Sequence, residues 1–208
     1  MQLKHPKRLL SSFKKKYLSS RNPLVTVATF TDYLSDFQSS SLIPRICHQT
    51  WEEKIFRLRF AHGLERFHNL NKDFNFILYD SSDRSDYMNS GIWRNTEISK
   101  IYNRSNFGVL DADIFSYCIL YERGGFYIDL ARELPKPLKN YFQLSSPFSL
   151  FFSNHQSTMD LVSIQPNSLQ VRNNLPIGRS VSHSFMAYKK EHPIMLSTIE
   201  NICEMFPF

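Results

Sequence analysis

A chain of 208 residues, 42% of them hydrophobic, is long enough to bury one full core and fits a single domain; it has no run near the ~18–20 apolar residues of a membrane-spanning helix. Its formal charge of +6 sits at one end: residues 1–31 carry Lys4, Lys7, Arg8, Lys14, Lys15, Lys16 and Arg21 and no acid, leaving 18 basic against 19 acidic residues behind them. That balance argues against a basic folded face for nucleic acid, and three scattered cysteines (Cys47, Cys118, Cys203) exclude a disulfide framework or a Cys-x-x-Cys zinc site.

Residues 1–38 read as a basic arm and 39–208 as the folded domain. The arm interleaves Leu3, Leu9, Leu10, Phe13, Tyr17 and Leu18 with its cations, a pattern that suits an anionic lipid surface; a solvated leader is the alternative. It lacks the apolar run of a signal peptide. With free thiols expected, this points to the cytoplasm, peripheral on the inner face of a membrane.

Residues 43–48 read as a short strand, and 52–69 as a helix with the stripe Phe56, Phe60, Leu64 and Phe67. Residues 74–79 form a continuously apolar strand of the kind covered on both faces. Short helical pieces are expected at 81–90 and 96–102, around a turn at Gly91.

The most informative stretch is 110–137, LDADIFSYCILYERGGFYIDLARELPKP. Leu110, Ile114, Tyr117 and Tyr121 recur at helical steps, Asp111 and Asp113 lie in the first turn and Arg123 in the last. Gly124 suits the left-handed position that ends a helix. Phe126, Tyr127 and Ile128 are strand-type residues running into Asp129. Open α/β sheets bind ligands at the carboxyl ends of their strands, so Asp113 and Asp129 are expected to face one cleft from two elements. A plain helix–strand joint, with the acids serving dipole and solvation, is the alternative reading. Beyond it, 148–152 and 161–165 read as strands, and a helix opens at His192 with Pro193 in its first turn. The alternation predicts an α/β fold, a mostly parallel central sheet flanked by helices.

Asp113, Tyr117, Leu120, Tyr121, Gly124, Gly125, Tyr127 and Asp129 match a signature of Ser-Asp-x-x-Arg-Tyr, then Leu-Tyr, then Gly-Gly-x-Tyr-x-Asp-x-Asp. Ile43, Pro44, Ile46, His48, Gln49 and Trp51 match a second block, and Leu78, Tyr79 and Asp80 a third. In that order and spacing the chain resembles glycosyltransferase family 32, which includes capsular-polysaccharide sugar transferases. The resemblance implies a GT-A-like nucleotide-sugar fold and a hexosyltransferase. It would move a sugar from a nucleoside-diphosphate donor to a surface or capsular glycan, or to a lipid-linked acceptor, with retention of configuration and a divalent cation, Mn²⁺ or Mg²⁺.

The same resemblance assigns roles. Trp51 is expected against the nucleotide base, Asp113 at ribose or sugar hydroxyls, and Asp129 on the metal. Ser116 stands in the donor-binding position where the family has arginine, and Ala131 where it has the second aspartate. Glu133 is the nearest other acid. These two departures keep a second reading open, a degenerate, non-catalytic sugar-nucleotide or glycan-binding module. No catalytic nucleophile is assigned, no nucleic-acid partner is expected, and family members usually continue beyond the point reached by residue 208.

Overall fold

A computed structural model of the protein describes residues 23–31, 42–105, 107–130, 137–140, 148–154, 159–162, 179–181 and 183–207. The cationic part of the arm, Ala131 and Glu133 lie outside them. In chain order the strands are β1 (Leu24–Val25), β2 (Ile46–Thr50), β3 (Phe56–Arg57), β4 (Asn75–Tyr79), β5 (Gly125–Ile128), β6 (Phe148–Asn154), β7 (Met159–Val162), β8 (Arg179–Val181) and β9 (Phe185–Tyr188). The helices are α1 (Leu58–Leu70), α2 (Ser81–Met88), α3 (Glu97–Arg104), α4 (Gly108–Arg123) and α5 (Pro193–Met205).

The main sheet runs β4-β2-β5-β9-β6-β7, with β8 on β6, and a two-stranded ladder of β1 and β3 lies apart. Strands β4, β2 and β5 are parallel, as expected. From β5 onward every pairing is antiparallel, so the sheet is mixed where the sequence suggests a mostly parallel one. The reason is the connections. Parallel neighbours need a long crossover, and α1 and then α2 to α4 supply it. Between β5 and β9 the described residues hold no helix except the short turn Leu138–Asn140.

Alternation along β5 and β9 sorts the core onto two faces. Phe126, Ile128, Phe185 and Ala187 join Phe67, Phe74 and Phe76 on the α1 side. Tyr127, Met186 and Tyr188 join Ile114, Phe115, Ile119, Met195 and Ile199 on the α4 and α5 side. Helix α4 is therefore covered almost all round, with Ile114 to Leu120 buried without a break. Cys47 and Cys118 pack as buried apolar residues, and burial pushes both thiols well up. Among the described residues no helix is long and apolar enough to cross a membrane.

One local difference has a physical cause, and one expected turn gains a second reason. The first helix begins at Leu58 rather than near Glu52, because Phe56 and Arg57 pair with Val25 and Leu24. Leu58 then takes its amide partner from the Pro23 carbonyl at 2.9 Å. At the far end of α4, Gly124 (φ +66°) and Gly125 (φ +102°) turn the chain into β5. A Cβ on Gly124 would stand 2.5 Å from the Lys190 nitrogen, and one on Gly125 2.6 Å from the Ile46 oxygen. The paired glycines thus serve close backbone approach on both neighbouring strands as well as the turn.

Candidate active site at the carboxyl ends of β2 and β5

Parallel pairing sets the carboxyl ends of β2 and β5 side by side, with Cys47 opposite Phe126 and His48 opposite Tyr127. Beyond them Trp51 leaves β2 and Asp129 leaves β5, while the first two turns of α4 carry Asp111 and Asp113, and Asp113 comes within electrostatic reach of Tyr127 as Asp129 does. The Tyr127 hydroxyl marks where these elements meet. It is 1% exposed and pairs with Thr50 Oγ1 at 2.8 Å. Burial pushes its phenol well above the ordinary value; the Thr50 bond pulls it back, the charges of Asp129 and Asp113 raise it further, and Arg84 lowers it. One buried hydroxyl thus feels both acids that the sequence assigns to the cleft.

The backbone under Asp129 is held from two sides. Its amide donates to the Ser184 carbonyl at 3.0 Å, ahead of β9. The preceding carbonyl, of Ile128, accepts from Gln49 Nε2 at 3.2 Å. Gln49 Oε1 is then left to accept from His68 Nε2 at 3.1 Å, which requires His68 Nδ1 to accept from the Thr29 hydroxyl at 2.6 Å. A buried polar chain therefore runs from residue 29 to the root of the candidate metal ligand. Burial holds His68 near a pKa of about 4, so it stays neutral in that chain.

Trp51 is 43% exposed, with its ring stacked on Phe60 (centroids 5.9 Å, interplanar 30°). One part of the indole packs over α1 and the remainder is exposed. Asp113 is half-buried; burial raises its carboxyl, and His183 opposes the rise.

Ser116 is different. At 1% exposure it donates to the Asp113 carbonyl one turn below at 2.7 Å, a back-bond typical of a helical serine. That bond directs its hydroxyl proton back along α4.

Sequence reasoning misses Arg84. It comes from α2, whose start is fixed by a capping box: Asp80 accepts from the Asp83 amide at 2.9 Å and Asp83 from the Asp80 amide at 3.0 Å. The guanidinium is 2% exposed and donates to the carbonyls of Trp51 (2.8 Å) and Tyr79 (3.4 Å) and to Glu52 Oε1 (3.2 Å). It is a positive charge beneath the site, fastened to the main chain at Trp51. His183 is missed too, and its ring nitrogen Nδ1 lies 2.9 Å from the Tyr117 hydroxyl.

Among the described residues no three His, Cys, Asp or Glu side chains are grouped to hold an ion. The donors present are nonetheless of the right kind for a hard cation that shares its shell with a substrate. Asp129, with Asp113 nearby, offers carboxylate oxygen, and Mg²⁺ or Mn²⁺ commonly completes its coordination with diphosphate oxygens and water.

Comparison with known proteins places the chain among glycosyltransferases. Inositol phosphoceramide mannosyltransferase 3 of Schizosaccharomyces pombe is 25% identical over 167 residues, 78% of this chain and 38% of that protein. Inositol phosphoceramide mannosyltransferase 2 of the same yeast is 30% identical over 113 residues, 54% of this chain and 31% of that one. The chain thus spans about a third of the length of these relatives. In three dimensions it resembles PaToxG Glycosyltransferase, with a TM-score of 0.51 and 14% identity over 93% of this chain and 67% of that one, a likeness of fold consistent with a GT-A-like architecture. Residues 38–148, over half the chain and including Trp51, Asp113 and Asp129, match the family described as the glycosyltransferase sugar-binding region containing DXD motif, and the chain belongs to that family.

Proposed function

We propose that the protein binds a nucleoside-diphosphate sugar at the β2–β5 edge and transfers its hexose, with retention, to a glycan or lipid-linked acceptor. The observation that carries this reading is the convergence of Asp113 and Asp129 on the buried Tyr127 hydroxyl, beside a half-open tryptophan at the end of a parallel strand. Trp51 receives the base on its open face. Asp113 accepts hydrogen bonds from ribose or sugar hydroxyls. Asp129 holds Mn²⁺ or Mg²⁺ together with the diphosphate oxygens, and the cation supplies Lewis-acid stabilisation of the leaving diphosphate. The names of the yeast relatives make a mannosyl donor and an inositol-phosphoceramide-type acceptor the first to try, with capsular and other surface glycans next. Attachment through the basic arm at the cytoplasmic face of a membrane would place the enzyme where such acceptors are built.

The deciding experiment is a thermal-shift screen with UDP- and GDP-sugars, with and without Mn²⁺, followed by donor hydrolysis. Cation-dependent stabilisation with hydrolysis supports the transferase. Ala131 and the buried hydroxyl of Ser116 favour a second reading, a sugar-nucleotide-binding module without turnover. Binding with no hydrolysis or transfer selects that one, and no binding at all removes both.

A further inference from the structure

We infer that His183 is a ligand-contacting residue that donates from Nε2 to the diphosphate of the bound nucleotide, supplying at the cleft the donor that position 116 lacks. The inference rests on the nucleotide-sugar reading of the site.

His183 is exposed and stands immediately before β9, and its neighbour Ser184 binds the Asp129 amide at 3.0 Å. Its ring meets Tyr117 edge-on (centroids 6.0 Å, interplanar 79°), and it lies within electrostatic reach of the Asp113 carboxyl. It therefore lies between the two acids, on the strand that flanks one and beside the helix that carries the other. Tyr117 fixes the ring. Burial pushes the Tyr117 phenol up to about 12, so it keeps its proton, and its hydroxyl pairs with Nδ1 across 2.9 Å. In the inferred tautomer Tyr117 donates and the ring's own proton sits on Nε2.

A cleft edged by two carboxylates repels a diphosphate unless donors and cations offset them. Among the described residues the other basic groups around the cleft are placed elsewhere. Arg84 is buried, with Nη1 and Nη2 held by Trp51, Tyr79 and Glu52. Lys189 and Lys190 lie at the opposite end of β9, against Gly124. Ser116 points back into α4. Among the described residues His183 is the donor that the antiparallel half of the sheet delivers beside Asp113 and Asp129. Tyr117 is the positioning residue behind it.

The test compares nucleoside diphosphate with the matching monophosphate, in Mn²⁺, by calorimetry on the wild-type chain, His183→Ala, His183→Gln and Tyr117→Phe. The base is whichever of UDP and GDP the wild type binds more tightly. His183→Ala is expected to weaken the diphosphate about tenfold, the size of one charge-assisted hydrogen bond, and leave the monophosphate within about twofold. His183→Gln, which keeps an N–H donor, should recover part of the loss, and Tyr117→Phe should show a smaller loss of the same selectivity. An equal loss for both nucleotides would mean that His183 only supports the fold, and no loss for either would mean that it does not touch the ligand; either overturns the inference and leaves the nucleotide-sugar reading standing. Failure of the wild type to bind either nucleotide removes that reading and this one together.

Discussion

Arg84 reaches from α2 to the main-chain carbonyl of Trp51 across 2.8 Å, so a buried guanidinium sets where the exposed indole stands. Its fork also takes Glu52 Oε1 at 3.2 Å, and that oxygen lies 3.2 Å from the Cβ that Gly108 at the start of α4 lacks. A lysine cannot make this set of bonds at once. Arg84→Lys is therefore expected to loosen Trp51 and weaken nucleotide binding about tenfold, in line with the ~1.5–3 kcal/mol of a hydrogen bond to a charged group. Fluorescence of Trp51, read in a Trp93→Phe background, should shift to the red and quench more readily. Unchanged emission and affinity would refute the positioning role.

A second prediction concerns acid. His48 Nε2 donates to the Gly124 carbonyl at 3.0 Å, so Nδ1 accepts from the Tyr79 hydroxyl at 3.1 Å. Burial lowers the ring from the ordinary 6.5 to about 4; the bond to Gly124 acts the other way, and the Arg123 charge lowers it slightly more. The unfolded chain takes up this proton below 6.5 and the folded one does not. The share of stability carried by this ring should fall as pH drops from about 6.5 to 4 and level off below, by on the order of 3 kcal/mol for a fully buried ring, with His68 and His192 adding losses of the same sign. Urea midpoints against pH, with a nitrogen-15 NMR titration of the imidazole, check it. A ring that protonates near 6.5 in the folded state would contradict the assignment.

For the cation, Asp129→Ala should abolish the Mn²⁺-dependent part of nucleoside-diphosphate stabilisation while the fold survives, since the amide bond to Ser184 does not need the side chain. Conversely, Ala131→Asp is expected to tighten cation-dependent binding by on the order of 1–3 kcal/mol, as a charged ligand added beside an existing one. A metal-dependent shift that persists in Asp129→Ala would show that the ion is held elsewhere.

Two glycines form a matched pair for stability. Gly125→Ala combines positive φ with a clash against the Ile46 oxygen and should cost several kcal/mol, roughly 3 or more. Gly91 also has positive φ, but nothing lies within 4 Å of its missing Cβ, so Gly91→Ala should cost only about 1 kcal/mol. Equal midpoints for the two variants in chemical denaturation would mean that the Ile46 contact relaxes freely.

The basic arm gives a fifth prediction. Seven cations at roughly 1 kcal/mol each near an anionic surface suffice for reversible attachment. Sedimentation should show binding to anionic vesicles at low salt, release at high salt, and none to neutral vesicles, because screening acts over about 10 Å at 0.1 M. Equal binding to neutral vesicles would leave the arm without an electrostatic role.

Legibility in the sequence follows how local each cause is. The α4–β5 joint can be read because its period, its acids and its two glycines are neighbours in the chain. Strands β1 and β3 cannot, being two residues each and defined by one another across 31 residues. Strand β9 is four consecutive buried residues, Phe-Met-Ala-Tyr, with no polar alternation to mark a strand. Arg84 sits in the polar run SSDRSDYM, where an arginine looks like solvated surface. Its burial is imposed by a carbonyl 33 residues earlier. Ser116 shows the reverse case. Its place in the pattern points to the ligand, while the helix offers it a nearer partner in the Asp113 carbonyl.

The mixed sheet also sets an order of events on the ribosome. By the time Asp129 is made, β4, β2 and β5 and the helices joining them have all been synthesised. The free edge of β5 then has to wait for β9, which arrives with Phe185–Tyr188 and, at about 5–20 residues per second, leaves that edge uncovered for roughly 3–12 s. An apolar strand held open for seconds invites pairing with another nascent chain. The span between β5 and β9 is thus the interval in which newly made protein most needs a chaperone, and high-level expression is expected to lose material there first.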